Sequence, residues 1–196
     1  MTVRSVCRGC ESTHLELVLD LGYMPLAGGF LSDPAQALGE KLFPLRVMIC
    51  TGCGLVQIID VVDPELLFQD YSFSSSTIQP LVEHFTAYAQ WLSGELHPTT
   101  IVEFGCNDGI LLVPLRELGI KAVGVDVSRN ITQMARARGL EVITGYFNPE
   151  VATRIRDEHG PVDVVTGSNA FAHNDQPGAI LESARPGRGL QRRVLG

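Results

Sequence analysis

Apolar runs alternate with amphipathic stretches over residues 98–184. The runs that suit buried strands are residues 101–105, 121–126, 140–144 and 162–167. Helical patterns fill the gaps between them, at about Asp108 to Leu118, Ser128 to Arg138 and Pro149 to Glu158. Strands that alternate with helices in this way predict an α/β fold, with a parallel Rossmann-like sheet and right-handed crossovers. Pro114 lies inside the first of these helices and predicts a kink there, because proline lacks the backbone donor.

The chain before residue 98 follows a different pattern. Residues 1–60 contain many glycines and prolines, which favour short strands and loops over long helices. Residues 61–97 are predicted to form a helical bridge, with one helix that opens at Asp63-Pro64-Glu65 and a second from about Thr77. The predicted domains are therefore residues 1–60, residues 61–97 and residues 98–184.

The C-terminal stretch, residues 185–196, does not continue the alternation. It contains four arginines and no acid, and its last six residues are too short and too charged for a buried strand. The parallel sheet is therefore predicted to be incomplete, with a basic, aberrant tail after it. An incomplete sheet has an exposed edge, which a partner or a second copy of the chain would cover.

Composition narrows the classes of partner. Hydrophobic residues make up 45% of the 196 residues, which is enough for a sizeable core. The formal charge of −7 argues against a nucleic-acid partner, because nucleic-acid affinity comes mainly from neutralised phosphates. No apolar run approaches the roughly 20 residues of a membrane helix, and no signal-peptide core follows Met1. We therefore predict a cytoplasmic protein that binds neither nucleic acid nor membrane.

The stretch from Ile101 to Ile110 has the pattern of a buried strand, a tight glycine turn and the opening of a helix. Such a turn is expected to aim its backbone N–H groups at a ligand over the carboxyl end of the strand. Glu103 places an anion near that end, which repels a pyrophosphate but attracts a cationic ligand. The pattern therefore favours S-adenosylmethionine over a dinucleotide.

Two further polar positions follow predicted strands. Asp126 ends the second strand about twenty residues after the glycine turn, where an acid accepts hydrogen bonds from ribose hydroxyls. The alternative is that Asp126 caps the helix that opens at Ser128. The loop after the fourth strand contains His173, at the edge where open α/β sheets bind ligands. His173 is the strongest candidate acid or base among the histidines, with a purely hydrogen-bonding loop histidine as the equal alternative.

Four of the five cysteines form two C-x2-C pairs, at Cys7, Cys10, Cys50 and Cys53. Two matched pairs in a reducing compartment predict a structural zinc site, closed by four thiolates. The alternative is a pair of redox dithiols or disulfides. Cys106 is predicted to be a small residue that fills the glycine turn rather than a nucleophile, since the sequence positions no base for it.

Several stretches taken together carry a family resemblance. They are both cysteine pairs, residues 21–27, 44–45, 54–57, 68–71, 74–75, 84–85 and 103–112, and Asn169-Ala170-Phe171-Ala172-His173. Over about residues 5–184 the chain resembles the sugar C-methyltransferases of deoxysugar and antibiotic biosynthesis. The resemblance implies a zinc-binding N-terminal domain, followed by a class I methyltransferase domain that uses S-adenosylmethionine.

The resemblance also implies a reaction and a set of site residues. The substrate would be a nucleotide-linked keto-sugar, methylated at carbon after a base removes the proton next to the ketone. Tyr71 and His173 would line the sugar site and are the catalytic candidates. The candidate cofactor-binding residues are Glu103, Gly105, Asn107, Asp108, Gly109, Asp126 and Asn169.

The chain departs from the family pattern in two places. Phe73 stands near the position of a second family tyrosine, and the family's general base lies in a C-terminal Glu-His segment that this chain does not contain. We therefore expect a truncated or frame-shifted member with little or no activity alone. The alternative is a non-catalytic, zinc-stabilised module for nucleoside binding or scaffolding. A zinc-ribbon nucleic-acid binder is disfavoured by the acidic charge.

Overall fold

The computed structural model of the chain describes residues 1–68 and 71–185, together with the backbone of residues 190–195. Its contacts divide the chain into two compact units, Met1–Ser72 and Phe73–Gly196. The division falls inside the predicted helical bridge. The first helix of that bridge belongs to the first unit, and the second helix belongs to the second unit.

The first unit is rich in β-structure. Its main sheet has three antiparallel strands in the order β2-β3-β4, and a short antiparallel pair joins β1 to β5. The strands are β1 (Thr2–Val3), β2 (Leu15–Pro25), β3 (Leu42–Cys50), β4 (Val56–Ile58) and β5 (Asp60–Val61). A 3-10 turn, Pro34–Gly39, lies between β2 and β3, and a short helix, α1 (Pro64–Phe68), follows β5.

The second unit alternates strands and helices around one parallel sheet. Its helices are α2 (Gln79–Leu96), α3 (Leu112–Glu117), α4 (Arg129–Ala137), α5 (Pro149–His159) and α6 (Pro177–Ser183). Its strands are β6 (Thr100–Phe104), β7 (Lys121–Asp126), β8 (Glu141–Thr144), β9 (Val162–Thr166) and β10 (Leu190–Leu195). All the pairings are parallel, in the order β10-β9-β6-β7-β8. The predicted α/β fold and its four predicted strands are therefore confirmed.

The prediction that the sheet stops before the C-terminal stretch was wrong. The backbone of β10 pairs in parallel with β9, with a register irregularity between Leu190 and Arg193. The prediction required a strand buried on both sides, whereas β10 lies at the edge of the sheet. An edge strand has one neighbour, and charged residues are common there because they discourage further pairing.

Strand β6 occupies the centre of the sheet, and all five of its residues are buried. Val102 and Phe104 pack in one apolar cluster with residues of α5 and α6. Ile101 faces the other way and packs with Phe85 and Leu92 of α2. Because alternate side chains point to opposite faces of a strand, β6 is covered on both faces, as expected for a central parallel strand.

The conflict predicted at Pro114 is eased, because the helix is shorter than predicted. Residues 107–111 form a turn, and α3 begins at Leu112. Pro114 is thus the third residue of the helix. The first N–H groups of a helix have no intrahelical acceptor, so a proline is tolerated in this turn.

None of the helices in the described part of the chain is long and apolar enough to cross a membrane.

Gly167, directly after β9, is expected to be intolerant of a side chain for purely steric reasons. A Cβ atom there would lie 2.1–2.5 Å from three ring atoms of Phe104. The Phe104 ring cannot easily retreat, because it stacks on Phe147 with ring centroids 5.6 Å apart. We expect Gly167→Ala to lower the free energy of unfolding by about 1–3 kcal/mol, the usual range for overpacking a core. Urea denaturation of the purified chain measures the effect.

Gly94 provides the matched control. It lies in α2, and nothing is within 4 Å of the position a Cβ would take. Gly94→Ala should be neutral or stabilising by up to about 1 kcal/mol, because alanine is the better helix former. Equal stability changes in the two variants would contradict the packing argument.

Candidate metal and nucleoside sites

The four cysteines of the two C-x2-C pairs meet at one point in the first unit. Their sulfur atoms all lie within 4.8 Å of one another. The Sγ atoms of Cys7 and Cys53 are 3.6 Å apart, as are those of Cys10 and Cys50, and all five cysteines are free thiols. Tetrahedral zinc with Zn–S bonds of about 2.3 Å requires sulfurs about 3.8 Å apart. The spacing therefore fits a four-thiolate zinc site.

The electrostatics of the cluster favour a cation. Burial raises the pKa of the Cys7 thiol, but backbone N–H donors of Cys10 and Gly9 outweigh this and lower it to about 6. At Cys53 the backbone N–H of Leu55 lowers the pKa, but the sulfurs of Cys10 and Cys7 outweigh it and raise the pKa to about 12. Without a cation, ionisation of one thiol therefore opposes ionisation of its neighbours.

Glu103 lies at the centre of the second candidate site. Its side chain is buried, with 2% of the residue exposed, and Oε2 has no hydrogen-bond partner among the described residues. Burial, and secondly the negative charge of Asp126, raises the pKa of the Glu103 carboxyl to about 8. The prediction of an anion in the mouth of the site needs correction. At neutral pH this carboxyl is mostly protonated, because β6 is covered on both faces.

The structure brings Glu103 and Asp126 together. Glu103 pairs with Gly124 on β7, and Asp126 ends the same strand. Asp126 Oδ2 accepts the backbone N–H of Asn107 at 2.9 Å, and Oδ1 accepts the backbone N–H of Ser128 at 2.9 Å. Asp126 is therefore not the N-cap of α4, which is Ser128, although it accepts the backbone N–H of that N-cap residue. A carboxylate oxygen has a second lone pair, so both oxygens can still accept a ligand hydroxyl.

The glycine turn, defined here as residues 105–109, folds back on the protein. The N–H groups of Gly105 and Cys106 donate to the carbonyl of Val125, at 2.7 and 3.3 Å, and that of Gly109 donates to the carbonyl of Cys106. The prediction that these amides point at a ligand was therefore wrong, because β7 lies beside the turn and its carbonyl accepts them. Cys106 is 1% exposed, and burial raises the pKa of its thiol, so it is a small packed residue.

The loop after β9 reaches the same edge of the sheet. A Cβ at Gly105 would lie 2.5 Å from the Cβ of Ala170, so this loop packs directly on the glycine turn. Its neighbour Asn169 is exposed, with a left-handed φ of 55°. His173 is exposed at the end of a 3-10 turn, and its backbone N–H donates to the carbonyl of Ala170.

Tyr71 belongs to the first unit, where its ring lies 6.4 Å from that of Phe68. The two catalytic candidates, Tyr71 and His173, are thus in different units.

Asn107 and Asp108, expected to bind the cofactor, contact other protein groups through their side chains. Asn107 Oδ1 accepts the backbone N–H of Ser75, and Asp108 Oδ2 accepts the hydroxyl of Ser74 at 2.6 Å. Arg138, at the end of α4, donates to the Asp108 carbonyl at 2.9 Å. The sequence carried no signal for Arg138, which lies thirty residues after Asp108 and meets it only in the folded chain.

We expect metal removal to act on the first unit alone. A chelator should unfold residues 1–60, because the thiolate cluster replaces much of a hydrophobic core there, while the α/β unit keeps its protection. Hydrogen exchange with and without chelator, together with the zinc content, measures this. Cys7→Ser should lose the metal, whereas Cys106→Ser, outside the cluster, should keep it. Unchanged exchange in residues 1–60 after metal removal would contradict a structural role.

Comparison with known proteins divides the chain into the same two units as the contacts do. Residues 7–68 match the family described as "Putative zinc binding domain", and residues 77–186 match the family described as "Methyltransferase domain". The chain is 36% identical to C-methyltransferase NovU of Streptomyces niveus over 170 residues, 85% of this chain and 40% of the relative.

A second relative is matched at lower identity. The ubiquinone biosynthesis O-methyltransferase of Bordetella parapertussis is 28% identical over 107 residues, 52% of this chain and 44% of the relative. The chain thus spans about two fifths of the length of these curated relatives. The crystal structure of a SAM dependent methyltransferase from Archaeoglobus fulgidus covers 54% of this chain and 45% of its own, with 20% identity and a TM-score of 0.45.

The Methyltransferase domain match alone extends over more than half of the chain, and it coincides with the parallel α/β unit. The four-cysteine cluster falls within the zinc-binding match that precedes it. The chain belongs to the methyltransferase family, with a zinc-binding domain before a class I methyltransferase fold.

Proposed function

We propose that this chain binds S-adenosylmethionine at the carboxyl edge of β6, β7 and β9 and serves C-methylation of a nucleotide-linked keto-deoxysugar. Bound S-adenosylmethionine would supply an electrophilic methyl group on a sulfonium. The zinc site would be structural, since four protein thiolates leave no open coordination position for substrate.

The observation that carries the proposal concerns Glu103 Oε2, which is buried near Asp126 and has no hydrogen-bond partner among the described residues. A buried polar atom without a partner is unfavourable, so a ligand that supplies a donor gains from meeting it. A positively charged donor gains more, because it also favours the ionised carboxyl next to a second acid. The ammonium group of S-adenosylmethionine is such a donor, whereas a pyrophosphate would be repelled.

The other contacts with the cofactor are expected at the same edge of the sheet. Asp126 keeps lone pairs for the ribose hydroxyls, and Gly105, Gly109 and Asn169 would border the nucleoside. Gly105 and Gly109 leave no room for a side chain, since a Cβ would lie 2.5 Å from Ala170 and 2.1 Å from Leu140 respectively. Substitution of either glycine would therefore disturb the loops that form the site.

The reaction class is supported by the similarity to C-methyltransferase NovU, which extends over 85% of this chain. Methylation at carbon requires removal of a proton next to a carbonyl and donors for the oxyanion that develops. His173, exposed in the loop after β9, would accept or donate a proton at this edge. Tyr71, the other catalytic candidate, belongs to the first unit, and its role stays a prediction.

Binding of S-adenosylhomocysteine, measured by isothermal titration, tests the cofactor assignment. We expect one site per chain and a dissociation constant at least about tenfold weaker in Asp126→Ala, because a buried ligand hydroxyl would lose its acceptor. Asp157→Ala, an exposed acid on α5, is the control and should bind like the wild type. The absence of binding to the wild-type chain would refute the proposal. Binding without methyl transfer to a nucleotide keto-sugar would favour the non-catalytic module.

The raised pKa of Glu103 gives a second prediction, on pH. A folded-state pKa of about 8, against an ordinary 4.5, means that the folded chain keeps a proton that the unfolded chain releases. The contribution of Glu103 to stability should therefore fall as the pH rises from about 4.5 to 8. The neighbouring groups that oppose its ionisation are Asp126 and, once ionised, Cys106.

Ligand binding should show the complementary trend. Because the ammonium group of the ligand favours the ionised carboxyl, the affinity for S-adenosylhomocysteine should rise between pH 6 and 8, by up to about tenfold per pH unit, with release of a proton. In Glu103→Gln the affinity should be lower, and both its pH dependence and the proton release should disappear. Titrations in buffers of different ionisation enthalpy count the proton. The same pH profile in both proteins would exclude Glu103 as its source.

A further inference from the structure

Residues Phe73–Ser76, here called the serine segment, are fastened to the glycine turn by side chains of the turn itself. Asn107 accepts the backbone N–H of Ser75 at 2.9 Å and donates to the carbonyl of Phe73 at 3.0 Å. Asp108 Oδ2 accepts the hydroxyl of Ser74 at 2.6 Å and the backbone N–H of Ser76 at 3.2 Å. The serine segment is therefore not a solvated linker.

Arg138 completes this network from the end of α4. Its Nη1 donates to the hydroxyl of Ser76 at 2.8 Å and to the backbone carbonyl of Asp108 at 2.9 Å, and it lies 3.6 Å from Asp108 Oδ2. The Asp108 side chain is 3% exposed, against 37% for Arg138. A buried carboxylate makes stronger hydrogen bonds than neutral groups do, provided that a cation balances its charge.

Asn107 connects the network to the proposed cofactor site. Its backbone N–H donates to Asp126, the acid assigned to the ribose, while its side chain holds Phe73 and Ser75. Its backbone is left-handed, with a φ of 49°, which turns the two sets of contacts in different directions. One residue thus joins the ribose acid to the serine segment.

A second observation is that the contacts among the described residues do not satisfy every polar atom of the network. Asp108 Oδ1 is buried and has no hydrogen-bond partner among the described residues. Glu103 Oε2, on the strand that leads into the same turn, is also buried and has no hydrogen-bond partner among these residues. Two buried carboxyl oxygens without donors, one within the glycine turn and one on the strand before it, are unfavourable in the free protein.

We propose that Asp108 and Arg138 are positioning residues, which hold the serine segment against the glycine turn and thereby couple its order to cofactor binding. This inference rests on the proposed function. Coupling of this kind is reciprocal: if the ligand favours the ordered segment, the ordered segment raises the affinity for the ligand by the same factor. Asp108 then acts through Asn107 and the serine segment instead of touching the cofactor.

The test compares Asp108→Asn, Arg138→Ala and Arg138→Lys with the wild-type chain. The dissociation constant of S-adenosylhomocysteine is measured by titration, and hydrogen exchange of residues 73–78 is measured with and without it. We expect binding about tenfold weaker in Asp108→Asn and Arg138→Ala, within the usual range of coupling between sites. Arg138→Lys should recover part of the loss, because it keeps the charge beside Asp108. Arg154→Ala, which removes an exposed ion pair with Glu158, is the matched arginine control.

Two readouts separate positioning from a merely structural role. In the wild type the ligand should slow exchange in residues 73–78, and this protection should shrink in Arg138→Ala. Hydrogen exchange of residues 73–78 could increase in the variants while the dissociation constant of S-adenosylhomocysteine stays within twofold of the wild type. In that case the network has only a structural role and the inference fails.

Failure of the proposed function looks different, since the wild-type chain itself would then not bind S-adenosylhomocysteine. Should Asp108→Asn not fold, Ser74→Ala replaces it, because it removes the shortest contact to Asp108 and leaves no charge unbalanced. A dissociation constant in Ser74→Ala equal to that of the wild type, together with unchanged binding in Arg138→Ala, would overturn the inference.

Discussion

Desolvation of one carboxyl, that of Glu103, shapes the chemistry of the α/β unit. The side chain lies on the central strand β6, between Gly124 of β7 and Thr166 of β9, and helix α2 packs with the residues of β6 that share its face. Thr166 is engaged by the hydroxyl of Tyr88 on α2, at 3.1 Å. In this setting burial raises the pKa of the carboxyl to about 8, so it is mostly protonated at neutral pH. A sheet with β6 at its edge would solvate the same acid and give it an ordinary pKa.

At the carboxyl edge of the sheet three loops approach one another closely. Ala170 packs on Gly105, Leu140 packs on Gly109, and Phe104 packs on Gly167. In each case a side chain occupies the space that a Cβ would need, so the loops after β6 and β9 are fixed by contact. Asp126 then ties the loop after β7 to the glycine turn through the N–H of Asn107. Steric fit and hydrogen bonding thus act on the same few residues.

The two units depend on different sources of stability. In the first unit the buried apolar side chains are few among the described residues, and two of them are the metal-site cysteines Cys7 and Cys50. We expect such a unit to depend on a metal held by the thiolate cluster, as small metal-binding domains do. The second unit has contiguous apolar clusters on both faces of its sheet. Loss of the metal and loss of a core side chain should therefore affect different parts of the chain.

The sequence by itself determined the elements whose signal is local. The four apolar runs became strands β6, β7, β8 and β9, and the two cysteine pairs marked the metal cluster, because periodicity and ligand spacing are properties of short stretches. Only the tertiary structure decided the rest. In the folded chain the amides of Gly105 and Cys106 donate to the carbonyl of Val125, and Asp108 accepts hydrogen bonds from the serine segment. Burial raises the pKa of the Glu103 carboxyl, so that it is mostly protonated at neutral pH. The tertiary structure also placed β10 at the edge of the sheet, where a charged stretch is tolerated. These outcomes depend on which distant groups become neighbours and how much water they exclude, and no local pattern specifies either.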